Sequence, residues 1–363
     1  MLPELTYLHG KPASSGLLRV NKSDFKVFEQ LPFEPVGEGE HLFIHLRKTG
    51  ANTVFVAREL AKYFKVKEQL VSYAGLKDRF AVTQQWFGVH LPGKQIYDLS
   101  DLNIEGVEVL EYKRHNKKLR TGALSGNCFE LILREVTDLK ALQERWKNIT
   151  EQGVPNYFGE QRFGIDGGNI DKALALFSGT KVKDKKKRGM YLSAARSTIF
   201  NDIINARIEK KLFSTIQIGD VLMLAGTQSV FHLDQIDDSI ALRFDQKDVD
   251  ITATMWGSGE LMTTAEPETL EQAVAARYNE FSQGLPKFGL KQERRRIRLI
   301  VAQASIEVLS DNESVNNSLP AVKVCFTLPP GSYATTVLRE LIKYQDCTQR
   351  VAVKSGNDNE RQN

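Results

Sequence analysis

The chain is 363 residues long, 41% hydrophobic and 26% charged, with 49 lysines and arginines against 45 acids and a formal net charge of +4. That is enough for two domains, or for one with a large insertion, and the composition is that of a globular protein able to bury a sizeable core. No apolar run approaches the length of a membrane-spanning helix, and the N-terminus lacks the basic start and apolar stretch of a signal peptide, so membrane and secretory readings fall away.

In chain order, residues 17–135 read mainly as strands around one helix. In EHLFIHLRKTG, Leu42, Ile44 and Leu46 fall on one face and His41, Phe43, His45 and Arg47 on the other, the two-residue period of a strand. NTVFVARELAKYFKV has helical spacing, with Val54, Ala57, Leu60, Ala61 and Phe64 on one stripe and Asn52 or Thr53 as cap. VTQQWFGVHL, VEVLEYKRH and GNCFELILREV read as further strands. TDLKALQERWKNITEQG predicts a helix capped by Thr137 and ended at Gly153. Strands outnumber the helix and lie on both sides of it, which favours an α+β mixed sheet over a doubly wound one.

After GVPNYFGEQRFGIDGGN the texture changes. Residues 165–305 are dominated by helical patterns, in DKALALF, YLSAARSTIFNDIINARIEKKL and PETLEQAVAARYNEFSQGL, with a strand-like, acid-rich patch before the last of these. Strand character returns at PAVKVCFTL, and Pro329, Pro330 and Gly331 form a turn that enters a helix. The expectation is that the last segment rejoins the first region's sheet and that the middle is an inserted domain.

Charge is unevenly spread. KRHNKKLR at 113–120, KVKDKKKR at 181–188 and RRRIR at 294–298 are basic runs. Any one alone reads as a solvated face, but three in a nearly balanced chain point to a polyanion partner. Cys128, Cys325 and Cys347 are far apart and odd in number, which speaks against a disulfide framework or a zinc site and for a reducing cytoplasm. Cys128 and Cys325 lie in apolar runs, where buried, inert thiols are expected.

Most familiar sites are missing. There is no GxxxxGK[ST] loop, no GxGxxG after a strand, no HExxH and no GxSxG. GIDGGN at 164–169 reads as a glycine turn. What stands out is YAGLKDRFAVTQQW, where Asp78 sits between Lys77 and Arg79 just after a glycine. Surface ion pairs are the plain explanation. Against it, the glycine allows another backbone or a substrate to come close, and neighbouring cations would keep a carboxylate ionised in a partly closed pocket. Such a carboxylate can act as nucleophile or base without a second acid.

GLKDRFAVTQQ, LRTGALSGNCFELILRE, GVPNYFGEQRFG, LSAARSTIFN and LPPGSYATTVLREL, with GLLRVNKSDFKVFEQ near the start, resemble the motifs of the TruD family of tRNA pseudouridine synthases, in the same order. The resemblance runs from Leu5 to Leu341. It implies a pseudouridine synthase catalytic fold, α+β, with a mixed, mostly antiparallel sheet interrupted by an inserted α+β domain specific to the family. On that basis residues 1–154 plus 307–350 are expected to form the catalytic domain, 155–306 the insertion and 351–363 a polar tail.

The implied reaction converts a uridine of tRNA to pseudouridine, at position 13 in the D-arm region, with glutamate tRNA among the substrates. It calls for no cofactor: no metal, redox group or nucleoside triphosphate. The resemblance makes Asp78 the catalytic carboxylate, which either adds to the sugar or removes a ribose proton. The target uridine must be flipped from its stack to be reached. Phe25 takes the place of a substrate-contacting aromatic, Asn127 of a residue that bonds the uracil edge and Phe129 of a ring that stacks on the base. Tyr333 stands where relatives often have Phe, and Arg19 at a basic position where it could pair with Asp78. Arg162 is a candidate phosphate contact. The implied partner is tRNA, bound by a cytoplasmic monomer without membrane association. Two rivals remain: a non-catalytic RNA-binding protein on the same scaffold, which would not need Asp78, and a glycoside or nucleoside hydrolase. The latter usually needs a second carboxylate, such as Glu160.

Overall fold

The computed structural model describes residues 3–93, 95–309 and 319–348; the polar tail at 351–363 lies outside them. They form two compact units. A sheet unit takes Pro12–Thr150, Val301–Ala334 and the chain from Leu341, and a helix-rich unit takes the N-terminal residues through Lys11, Glu151–Ile300 and Thr335–Glu340.

The elements follow in chain order. The chain opens with β1 (Ser15–Leu18), β2 (Phe25–Gln30), β3 (His41–Thr49), α1 (Thr53–Tyr63), β4 (Val71–Tyr73), β5 (Val82–His90), β6 (Val107–His115), β7 (Gly126–Arg134) and α2 (Leu139–Gln152). The middle holds β8 (Val154–Pro155), α3 (Gly168–Phe177), α4 (Lys185–Glu209), β9 (Val221–Leu224), β10 (Val230–His232), α5 (Asp238–Asp245), β11 (Val249–Met255), α6 (Ala265–Ala276), α7 (Asn279–Lys287), β12 (Glu293–Arg296) and β13 (Arg298–Leu299). The last stretch adds β14 (Ala302–Val308), β15 (Val322–Leu328), α8 (Ala334–Leu341) and β16 (Lys343–Asp346).

The sheet unit is built on one ten-stranded sheet, whose main path runs β14-β15-β7-β2-β5-β3-β6. It is mixed but mostly antiparallel: only β2 with β5 and β1 with β16 are parallel. β15 pairs with β7 over Val322–Leu328, which returns the end of the chain to the sheet of its beginning. Leu42, Ile44 and Leu46 of β3 share a face with Phe87 and Val89 of β5 and pack on Val56, Leu60 and Ala61 of α1. The other face is covered as well, since Phe43 is buried against Trp86, Ala74 and Leu119. The inward stripe of α1 uses Val56 in place of the expected Val54, which is 37% exposed, and Asn52 is the cap, its side chain accepting from Val54 N. The cap of α2 is Asp138, whose Oδ1 accepts from Ala141 N, because Thr137 is bonded to Ser15 instead.

Cys128 and Cys325 are half-buried. Each precedes an inward phenylalanine, Phe129 and Phe326, so the alternation of the strand turns the thiols to the less covered face.

The helix-rich unit centres on α4, which is buried nearly all round from Tyr191 to Asn205. A four-stranded sheet, β10-β9-β11-β12, belongs to the same unit. The single helix expected over PETLEQAVAARYNEFSQGL is two. Tyr278 leaves the helical region between α6 and α7, and its hydroxyl donates to Asp202 at 3.0 Å. GIDGGN is a glycine turn, with Gly164 and Gly167 in left-handed conformations. The N-terminal residues join this unit through Glu340, whose carboxylate accepts from Leu8 N and His9 N, and through Arg339, stacked 3.6 Å over the Tyr7 ring. No helix among the described residues is long and apolar enough to cross a membrane.

One buried pair fixes the start of β2. Asp24 is fully buried and accepts a two-pronged bond from Arg134 of β7, at 2.9 and 2.7 Å, and a third from Asn21 N at 2.8 Å. Asp24→Ala should therefore cost about 3–5 kcal/mol in urea unfolding, because it removes the carboxylate of a buried, doubly bonded pair. Asp24→Leu with Arg134→Met removes both charges and should cost clearly less.

Candidate active site

Asp78 lies in the loop between β4 and β5, and neither of its neighbours in the chain holds it. Its carboxylate accepts from Arg19 Nη2 at 2.7 Å through Oδ2 and from Phe80 N at 3.0 Å through Oδ1. The second bond is a turn in which an aspartate caps the backbone two residues on. Arg79 is exposed, its Nε 3.4 Å from Gly50 O, and Lys77 turns inward. Gly75 meets nothing within 4 Å at the place where a Cβ would stand, so no other backbone crowds the loop there.

Arg19 follows β1 with φ of 57°, a left-handed conformation that costs a non-glycine residue about 1–2 kcal/mol. Its contacts offset that cost. Nη1 donates to Asp346 at 2.8 Å, and the guanidinium lies 4.1 Å over the ring of Phe25. Asp346, at the end of β16, also accepts from Thr348 N and Oγ1 through its other oxygen. The side chains of Asp78 and Asp346 keep 25% and 23% of their surface, so both carboxylates remain within reach of solvent.

A second charged group lies beneath the loop. Glu29 and Asn127 face each other across β2 and β7, and Lys77 bridges them, 3.1 Å from Glu29 Oε2 and bonded to Asn127 Oδ1. Burial pushes the Glu29 carboxyl above its usual range, while Lys77 and the N–H of Trp86 pull it down. Lys77 N donates to Thr53 Oγ1, Thr53 donates to Gln85, and Gln85 Nε2 donates to Gly75 O at 2.5 Å, so the first half of the loop is bonded to β5 and α1. Lys48, on the same face of β3, is 1% exposed and gives its ammonium to Ala51 O at 3.1 Å. Burial, with Lys77 nearby, pushes it down to about 8.

The remaining predicted residues fall into two groups. Phe25 and Phe129 meet edge to face at 6.4 Å, and Phe129 stacks on Phe326 at 5.3 Å. Both are buried, Phe129 to 7% exposure, so one face of its ring is already taken within the protein. Tyr333 is half-buried just before α8, and none of these bonds and ring pairs fixes its place relative to them. Glu29, Lys48 and Asp346 were not foreseen as part of the site. Glu29 and Lys48 carried a signal, since each stands in the apolar phase of its strand, after Phe25 and Val27 and after Leu42, Ile44 and Leu46. Asp346 carried none.

The basic runs differ once folded. In RRRIR, Arg294 is nearly buried on Glu271 at 2.8 Å, Arg298 lies 3.3 Å from Asp250, and Arg295 stacks 4.3 Å over Phe158. Arg294 and Arg298 are thus committed to buried acids, while Arg295 and Arg296 are half-buried. Arg162 bonds Ser193 at 2.9 Å and lies 5.0 Å from the Phe158 ring. Lys113, Lys117, Lys118 and Arg120 are exposed, as are Lys181, Lys183 and Lys185–Lys187 around the start of α4.

The model of the family described as tRNA pseudouridine synthase D (TruD) matches residues 2–173 and 178–341. Among curated proteins, a tRNA pseudouridine synthase D of Colwellia psychrerythraea is 72% identical over 97% of this chain and 96% of its own length. Those of Aeromonas salmonicida and Shewanella oneidensis are 47% and 44% identical over 95% of this chain, and over 96% and 90% of their own. A solved TruD structure from Methanosarcina mazei superposes with a TM-score of 0.72 at 22% identity, covering 95% of this chain and 97% of that one, which shows a common fold.

Lys48 supplies a pH test. An unfolded lysine titrates near 10.4, so between about pH 8 and 10 the unfolded chain binds more protons than the folded one, and stability rises with pH. Measured by urea unfolding, wild type should gain about 2 kcal/mol relative to Lys48→Met from pH 7 to pH 10. A difference that stays flat across that window would contradict the burial of this charge.

Proposed function

The chain belongs to the TruD family of tRNA pseudouridine synthases and is an isomerase; from that premise we propose that it converts a single uridine of tRNA to pseudouridine with Asp78 as the only catalytic carboxylate. The target is position 13, in the D-arm region, and glutamate tRNA is among the substrates. The enzyme works as a cytoplasmic monomer. The observation that carries the reading is the pairing of Arg19 with a carboxylate that still reaches solvent, in the loop that carries the family's motif.

The isomerisation breaks the C1′–N1 bond, turns the uracil and joins C1′ to C5, with the C5 proton lost and N1 protonated. It needs a carboxylate that stays ionised in a partly closed site. Arg19 supplies the positive charge, and the Phe80 N–H fixes the other oxygen, so Asp78 is aimed before substrate arrives. Phe25 and Phe129 form the aromatic floor on which the flipped base rests, and Asn127 bonds the base edge. Tyr333 contributes a further aromatic wall. A hydrolase would ask for an independent second acid. One candidate, Asp346, shares Arg19 with Asp78, and its Oδ1 is bonded to Thr348.

The exposed lysines of the 113–120 and 181–188 runs grip tRNA phosphates. Their side chains are mostly solvated, so binding releases counterions and weakens as salt rises.

The decisive comparison is wild type against Asp78→Asn on unmodified tRNA, with pseudouridine detected by selective chemical labelling because its mass equals that of uridine. Wild type should form product and Asp78→Asn none at a detectable rate; full activity in the variant would remove Asp78 from the mechanism. Phe129→Ala should keep tRNA binding and lose most turnover. Lys117→Ala with Lys118→Ala, and separately Lys186→Ala with Lys187→Ala, should weaken tRNA binding with kcat little changed. The slope of log affinity against log salt should flatten by about one for each lysine that no longer meets a phosphate.

A further inference from the structure

Lys77 and Asp78 are neighbours in the chain but serve different groups. Lys77 carries its ammonium to the buried pair of Glu29 and Asn127, with only 7% of its side chain exposed and that of Glu29 wholly buried. Packing alone gives no reason for such a pair, since apolar residues of similar volume in such places are often no less stable.

An ammonium has donors and no acceptor. It therefore fixes which way round the Asn127 amide stands: Oδ1 faces Lys77 and Nδ2 faces away. Turning the amide over would set donor against donor beside a buried cation, which leaves both unpaired at a cost of about 1–3 kcal/mol or more. Nδ2 makes no hydrogen bond among the described residues, and Asn127 is half-buried, so that nitrogen is within reach of a ligand.

We infer that Lys77 is a positioning residue that sets base specificity, by holding Asn127 so that it can only donate to the pyrimidine edge. Uracil presents a carbonyl at C4, which accepts. Cytosine presents an amino group there, which meets the amide donor to donor. An asparagine free to turn over would accept from that amino group and lose the distinction. The inference rests on the uridine reading given above, with Asn127 against the C4 edge of the flipped base.

The test measures binding of two tRNA transcripts that differ only in having uridine or cytidine at the target nucleotide. Glu29→Gln with Lys77→Met removes both buried charges together, so neither is left unpaired, and thermal melting checks that the variant folds. Wild type should favour the uridine transcript by about tenfold or more, and the double variant by no more than about threefold. Asn127→Asp, which still accepts from Lys77 but has no donor, should turn the preference towards cytidine; this arm decides alone if the double variant does not fold. A folded double variant that keeps the wild-type ratio, or an Asn127→Asp protein that still prefers uridine, overturns the inference. Product formation by wild type is followed in parallel. No pseudouridine from any tRNA defeats the functional reading, whereas pseudouridine formation with an unchanged ratio defeats only the role of Lys77.

Discussion

The guanidinium of Arg19 is the contact on which the site depends. It joins the loop of Asp78 to the end of β16 at Asp346, and it lies over the first ring of β2. These segments are far apart in sequence and meet only because β1 pairs with both β7 and β16. A flexible ammonium could neutralise either acid. A planar fork can hold two at once in fixed directions. The left-handed backbone at Arg19 is the strain that this arrangement carries.

A second constraint follows from the same sheet. Glu29, Lys48, Thr83, Gln85 and Asn127 stand on the face that elsewhere buries Leu46, Phe129 and Phe326. Charges placed in an apolar phase lower stability unless each finds a partner. Here Lys77 comes from the loop above to pair with Glu29 and bond Asn127, and Gln85 of the sheet bonds the loop in return. A carboxylate on a free loop would wander. On this one, the residue before it is anchored below and the residue itself is anchored sideways.

Much of the fold was legible in the sequence. The period of two in β3 and the helical spacing of α1 gave their elements, and ordered motifs resembling one family gave the mixed sheet. Where local pattern misled, a distant contact had taken over. Thr137 is a good cap residue but is bonded to Ser15, so Asp138 caps α2. Tyr278 breaks a continuous helical pattern because its hydroxyl reaches Asp202. Of the site, Asp78 and Arg19 could be singled out, and the family resemblance suggested the pair between them, although nothing local says that residue 19 reaches residue 78. Glu29 and Lys48 were readable as charges in the wrong phase of a strand. Asp346 was not readable, because its importance lies wholly in sharing Arg19.

The basic runs carry the same lesson to function. RRRIR, KRHNKKLR and KVKDKKKR look alike as strings, but a cation's availability is decided by its partner. Arg294 and Arg298 are held by buried acids, Glu271 and Asp250, and cannot leave them for a phosphate without stranding a charge in the interior. The solvated lysines exchange one counterion for another at little cost. The cations at Asp78 belong with the first class, since Arg19 and Lys77 have fixed partners. Burial thus fixes Arg19, Lys77, Arg294 and Arg298 on their acids, while the lysines of the other two runs remain exposed to solvent.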